Sequence, residues 1–238
     1  MMMKNPAILS LFLQVAITSL IAQTPEKGNV TDIDGNVYRT VIIGKYEWMA
    51  VNLKTTTFND GTKILCVTGS AEWTGLNRSA YCLYNNSENH ADTFGVLYNW
   101  YAVSSGTLCP EGWRIPTDEE WKVLEGYADT RYGVGDTIWD KPGLRGNDAG
   151  LQLRASSGWY QGRNGTDHFG FSALPGGERL SRNGRYFVTG KNGFWWSSSG
   201  YGASFAWYRS IIYAFDQVCR STHDKRFGFS VRCLRDKK

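Results

Sequence analysis

The segment Cys109-Pro-Glu-Gly-Trp-Arg-Ile-Pro-Thr-Asp-Glu-Glu-Trp121 constrains the fold more than any other stretch of this chain. Thr117 and Glu120 have the spacing of a capping box, in which the hydroxyl accepts from a free first-turn N–H and the Glu reaches back to the cap. Pro116 fixes the entry, and Asp118 and Glu119 favour the positive end of the helix dipole. Trp121, Leu124 and Ala128 then fall on one stripe, which predicts a helix with one buried face. The three consecutive acids are therefore read as helix-start residues and not as a catalytic carboxylate cluster.

Little else in the sequence is helical. Val96, Trp100 and Val103 have helical spacing and predict a short helix over 95–104. Beyond Gly143, Asn164-Gly165, Asn183-Gly184 and Asn192-Gly193 read as turns between short aromatic strands at 185–189, 194–197, 205–213 and 227–234. Near the start, Asp34-Gly35 and the β-branched run Val37–Ile43 predict a hairpin, and residues 54–93 read as a long polar loop. Early helices followed by a strand-rich second half make the class α+β. No repeat and no Gly/Ser or Pro linker divides residues 23–238, so they are expected to form a single domain.

With 10 Trp, 13 Tyr, 11 Phe and 27 Gly, the composition predicts an aromatic core under many turns. Charged residues are 20% and apolar residues 42%, which excludes a disordered chain. The 26 basic and 22 acidic residues give a net charge of +4, too little to predict nucleic-acid binding.

Residues 1–22 carry one charge, Lys4, before an apolar stretch broken by Ser10, Gln14, Thr18 and Ser19. They read as a secretory signal peptide cut after Ala22, with a membrane anchor as the alternative. The remaining chain is expected outside the cytoplasm, secreted or at the cell surface, with no further membrane span. Five cysteines in an oxidising compartment should partly pair, leaving at least one over: Cys66, Cys82, Cys109, Cys219 and Cys233.

Candidate chemistry is sparse. No C-x-x-C pair, phosphate loop or dinucleotide fingerprint occurs, so no metal and no cofactor is expected. Asp32-x-Asp34-Gly35 lacks the rest of a calcium loop. His90, His168 and His223 sit in polar, turn-rich sequence without a nucleophile elbow, and catalysis is not expected. Arg220, Lys225, Arg226, Arg232, Arg235, Lys237 and Lys238 form a basic end, read as a solvated face, with an acidic ligand as the alternative.

Several motifs, in order, carry a resemblance. They are Asp32-Ile-Asp-Gly-Asn-Val-Tyr-Arg-Thr-Val-Ile-Ile-Gly44, Glu47-Trp-Met-Ala-Val-Asn-Leu53, Ala80-Tyr-Cys-Leu-Tyr-Asn-Asn86, Gly95-Val-Leu-Tyr-Asn-Trp-Tyr-Ala102 and the Cys109–Trp121 segment. Gly170-Phe-Ser-Ala-Leu-Pro-Gly-Gly177, Phe194-Trp-Trp-Ser-Ser-Ser199, Ala206-Trp-Tyr-Arg209 and Gly228-Phe-Ser-Val-Arg-Cys-Leu-Arg-Asp236 follow. Over roughly residues 30–236 the chain resembles the Fibrobacter succinogenes major paralogous domain family. That family is similar to C-type-lectin-like domains and to the formylglycine-generating-enzyme fold. The resemblance implies two short helices, a first strand paired with the last, and a bridge between Cys109 and Cys233. Closing so long a loop contributes about 4–5 kcal/mol in the chain-entropy view. The Glu-Pro-Asn, Gln-Pro-Asp and Trp-Asn-Asp motifs of calcium-dependent lectins are missing.

Alternation along 206–214 puts Trp207, Arg209, Ile211 and Tyr213 on one face, assigned to the core together with Trp195 and Trp196. Tyr208, Ser210 and Ile212 fall on the other face, with Tyr201, Phe205, Phe215 and His223 on nearby loops. These seven residues are the candidate binding surface, and its expected ligand is a protein or a glycan. The alternatives are an enzyme of the formylglycine-generating-enzyme-like fold and a purely structural surface protein.

Overall fold

The computed structural model describes residues 27–237, and the predicted signal peptide lies outside them. The chain opens with β1 (Lys27–Thr31), β2 (Val37–Ile43) and β3 (Tyr46–Met49), then β4 (Leu65–Cys66), α1 (Ser70–Thr74) and β5 (Ala80–Cys82). Next come α2 (Glu88–Phe94), β6 (Leu97–Tyr98), α3 (Trp100–Val103), α4 (Asp118–Ala128), β7 (Gly143–Arg145) and α5 (Ala149–Leu153). The second half holds β8 (Glu178–Arg179), β9 (Tyr186–Phe187), β10 (Asn192–Tyr201), β11 (Phe205–Ile212), β12 (Val218–Asp224) and β13 (Leu234–Asp236). The architecture is α+β, built on two four-stranded sheets ordered β1-β2-β3-β13 and β10-β11-β12-β7, with two smaller sheets, β4-β5-β6 and β8-β9.

α4 forms where the sequence places it. Thr117 accepts from the Glu120 N–H, Glu120 caps the Thr117 N–H at 2.8 Å, and Trp121, Leu124 and Ala128 are buried. The ring of Trp121 lies 5.3 Å from that of Trp48, which also meets Phe171 at 5.8 Å. Asp34-Gly35 makes the expected turn, Gly35 donating to the Asp32 carbonyl at φ +84°.

Other expectations are corrected. The last strand pairs with β3, not with β1: Leu234, Arg235 and Asp236 face Trp48, Glu47 and Tyr46. Two helices were implied, but five short α-helices are present among the described residues, and only α4 of these exceeds seven residues. Residues 54–93 are not one long loop. Trp73, Leu76, Ala80 and Cys82 bury a small core of their own, which organises α1, β4 and β5. The helix expected over 95–104 is instead β6 followed by a single turn. Tyr98 pairs with Phe229 and Tyr81, and the Asn99 side chain caps α3. Asn192-Gly193 is no turn, since both residues pair within the β10–β11 ladder. A Cβ on Gly193 would meet the Trp195 ring and the Leu174 carbonyl at 2.7 Å or less, so the glycine serves close packing.

Strand 227–234 is replaced by a single extended thread that borrows its partners. Gly228 exchanges backbone bonds with Arg179, Phe229 with Tyr98, and Ser230 bonds with Phe194 and Trp196. The disulfide between Cys109 and Cys233 ties this thread to the segment ahead of α4. Among the described residues, Cys66, Cys82 and Cys219 are unpaired.

α4 is fixed to the second sheet by charge. Arg209 donates to Glu125 at 2.5 Å and to Asp118 at 2.7 Å, Arg220 donates to Asp118 at 2.7 Å, and Arg145 bonds to Glu125. Burial opposes ionisation of Asp118, but the bonds and charges of Arg220 and Arg209 overcome it and hold the carboxyl below the usual range. The basic end is therefore not one solvated face. Arg220 and Arg232 are buried, Arg226 pairs with Asp224, and Arg235 pairs with Glu47.

Candidate ligand pocket

β11 is covered on both faces. Of the face assigned to the core, Arg209 and Ile211 are buried against α4 but Trp207 and Tyr213 are only half-buried, and Trp195 and Trp196 are core residues. The opposite face does not point to solvent. Tyr208 packs on Trp196 and Phe229, and Ser210 is 2% exposed. These two residues leave the candidate surface: the 227–233 thread and the first half of the chain bury Tyr208, and Ser210 is buried between its ladder neighbours Phe194 and Cys219. Burial pushes the Tyr208 phenol up to about 12.

The remaining five candidates fall into two groups. Phe205 and Ile212 mark the two ends of β11, about 23 Å apart at roughly 3.3 Å per residue. Ile212 and Phe215 lie at one end. Tyr201, Phe205 and His223 gather at the other, where Ala206 pairs with His223 and Phe205 with Asp224. His223 belongs to β12 and not to a loop. Tyr201 stands edge-on to Trp207 at 5.2 Å and is itself 55% exposed.

Phe205 and His223 open onto a cavity of about 480 Å³, lined also by Glu178, Leu180, Ser181, Arg182, Phe187, Asp224 and Phe227. That volume lies inside the roughly 300–1,000 Å³ typical of small-molecule sites. One wall is the β8–β9 hairpin, where Glu178 pairs with Phe187. The hairpin turns at Asn183-Gly184, as its sequence suggests, with Gly184 donating to Leu180 at φ +65°. A Cβ on Gly184 would press on the Ser70 backbone at 2.5 Å, so this turn is seated against α1. The other wall is the β11–β12 edge, backed by Phe227, whose ring stacks on His223 with centroids 3.5 Å apart.

β8 sends its two side chains opposite ways. Arg179 is fully buried, donates to the carbonyls of Gly184, Val67 and Thr68, and lies over the Trp73 ring at 4.5 Å. Glu178 faces the cavity. It is 8% exposed, yet its carboxylate makes no hydrogen bond and no ion pair among the described residues. Burial pushes this carboxyl up to about 7, against a weaker pull from Arg182. Ser181, 6% exposed, likewise leaves its hydroxyl unbonded among the described residues. The Asp224 carboxyl is held below its ordinary range by Arg226, which donates to it at 2.6 Å. Burial lowers the His223 imidazole, with Asp224 acting the other way.

A family model, the Fibrobacter succinogenes major domain, matches residues 41–235. The chain belongs to that family. All nine pocket residues of this Fibrobacter succinogenes major domain protein, and both bridged cysteines, lie inside the matched span. No curated protein and no solved structure matches the chain significantly.

Sequence reasoning named Phe205 and His223 but missed Glu178, Ser181, Arg182, Phe187 and Phe227. One signal for the missing wall was present. Asn183-Gly184 implies a hairpin, and a hairpin implies that residues 178–187 double back as a projecting edge.

Proposed function

We propose that this protein is a secreted or surface-exposed, non-catalytic binding domain with a C-type-lectin-like fold. It recognises a protein or glycan ligand at the Tyr201–Phe205–His223 end of its second sheet. The observation that carries this reading is the cavity of about 480 Å³ with exposed phenylalanines at its rim, Phe205 at 46% and Phe187 at 57%. Exposed rings beside a concave site supply contact area at low entropic cost. A lectin-like arrangement is supported by the last strand returning to the opening meander and by its disulfide to the segment ahead of α4. An extracytoplasmic location draws support from that disulfide and from the signal-like residues 1–22.

A glycan array and a cell-surface binding assay test the reading, each run with wild type and Phe205→Ala. Binding in one assay is expected, reduced at least roughly tenfold by the substitution, because buried aromatic anchors dominate such interfaces. Binding that ignores Phe205→Ala, or none in either assay, removes it.

A further inference from the structure

We infer that the cavity between the β8–β9 hairpin and the β11–β12 edge binds a neutral saccharide, its hydroxyls meeting Glu178, Ser181 and Arg182 and its C–H face lying on Phe205 and Phe187. The inference rests on the binding-domain reading above and narrows its ligand.

Three features of the cavity point this way. The first is unspent hydrogen-bonding capacity. The Glu178 carboxylate and the Ser181 hydroxyl make no hydrogen bond among the described residues, yet their oxygens stay accessible from the cavity, so a ligand entering it can bond to both. Glu178 and Ser181 are both more than nine-tenths buried, and both line the same space. The exposed Arg182 guanidinium also makes no hydrogen bond or salt bridge among the described residues. The site thus offers an acceptor, a hydroxyl that acts either way, and a planar donor. A sugar hydroxyl both donates and accepts, so a row of them suits this mixture.

The second is charge balance. Asp224 is occupied by Arg226, which leaves one carboxyl and one guanidinium of opposite sign facing the ligand. An ammonium ligand would meet Arg182, and an anionic ligand would meet Glu178. A neutral ligand meets neither penalty.

The third is shape. Phe205 and Phe187 are about half exposed at the mouth, while the rings of Phe227 and His223 form an aromatic back wall. Flat rings match the C–H face of a pyranose. A free amino acid, which also balances charge, has no such face.

The test is ligand-observed NMR and calorimetry on the disulfide-bonded protein. The probes are the methyl glycosides of glucose, galactose, mannose, N-acetylglucosamine and xylose, with glucuronic acid, glucosamine and free amino acids as charged controls. At least one neutral glycoside is expected to bind, with saturation transfer from aromatic protons. Glu178→Ala and Phe205→Ala should each weaken it roughly tenfold or more. Glu178→Gln keeps the side-chain shape and should weaken it in the same direction by less, which guards against a variant that fails to fold. No neutral glycoside binding, charged controls binding in preference, or affinity unchanged in Glu178→Ala overturns the inference. A protein ligand captured through Phe205 with no glycoside bound would end the saccharide assignment and leave the binding-domain reading standing. Loss of both would end both.

Discussion

Two clusters of charge, one between α4 and the β10-β11-β12-β7 sheet and one on the β8–β9 hairpin, are treated in opposite ways. Beneath α4, every carboxylate has its guanidinium: Asp118 is held by Arg209 and Arg220, and Glu125 by Arg209 and Arg145. At the β8 edge, Glu178 has no bonded partner among the described residues and Arg182 stands exposed beside it. The first cluster joins a helix to three strands and is sealed. The second is open to a cavity and incomplete. The charges inside the fold are paired with one another, whereas those of the β8–β9 hairpin face an open cavity.

Substitutions separate the two clusters by size and by sign. The largest effect is expected at Glu125. Glu125→Ala leaves Arg145 without its carboxylate in the interior, takes one of two carboxylates from Arg209, and should cost about 3–5 kcal/mol in urea unfolding, the usual loss on breaking a buried pair. A loss under 1 kcal/mol would mean the network is not structural.

Glu178→Gln should act in the opposite direction. The folded-state carboxyl is raised from its ordinary 4.5 to about 7, so ionising it opposes folding. The penalty is absent below about pH 4.5, grows as pH rises to 7, and is complete above. The Gln variant should therefore gain about 3 kcal/mol over wild type at pH 8 and almost nothing at pH 4, at about 1.36 kcal/mol per pH unit. Stability curves at several pH values check this, and a pH-independent difference would contradict it. The smallest effect belongs to Arg182→Ala, whose exposed side chain should change thermal stability by no more than about 0.5 kcal/mol. A larger loss would place Arg182 with the structural charges.

What could be read from the sequence was local. The capping box and apolar stripe of α4 need only twelve consecutive residues, and both formed. The Cys109–Cys233 bridge came through family resemblance, since its partners are 124 residues apart. β11 shows where alternation fails. A strand covered on both sides has no outward face, and nothing near Tyr208 announces the thread that buries it. β12 was hidden for a different reason. Val-Cys-Arg-Ser-Thr-His-Asp is polar, yet it is an inner strand paired with β11 and β7, where Arg220 finds Asp118. The pocket was half legible for the same cause. Its rings at Phe205 and His223 could be named, but Glu178 gains its meaning only when residues from the β8–β9 hairpin and the β11–β12 edge converge.

The Cys109–Cys233 bond also decides what happens when the backbone is cut. The Arg182–Asn183 tip is exposed and lies between the two cysteines, a natural place for a trypsin-like protease to nick. After such a cut, the two pieces stay on one covalent frame, with α4 on one fragment and the β10–β12 strands on the other. Damage at the mouth of the pocket is thus separated from dissolution of the molecule: the nicked form keeps its mass until a reductant releases it.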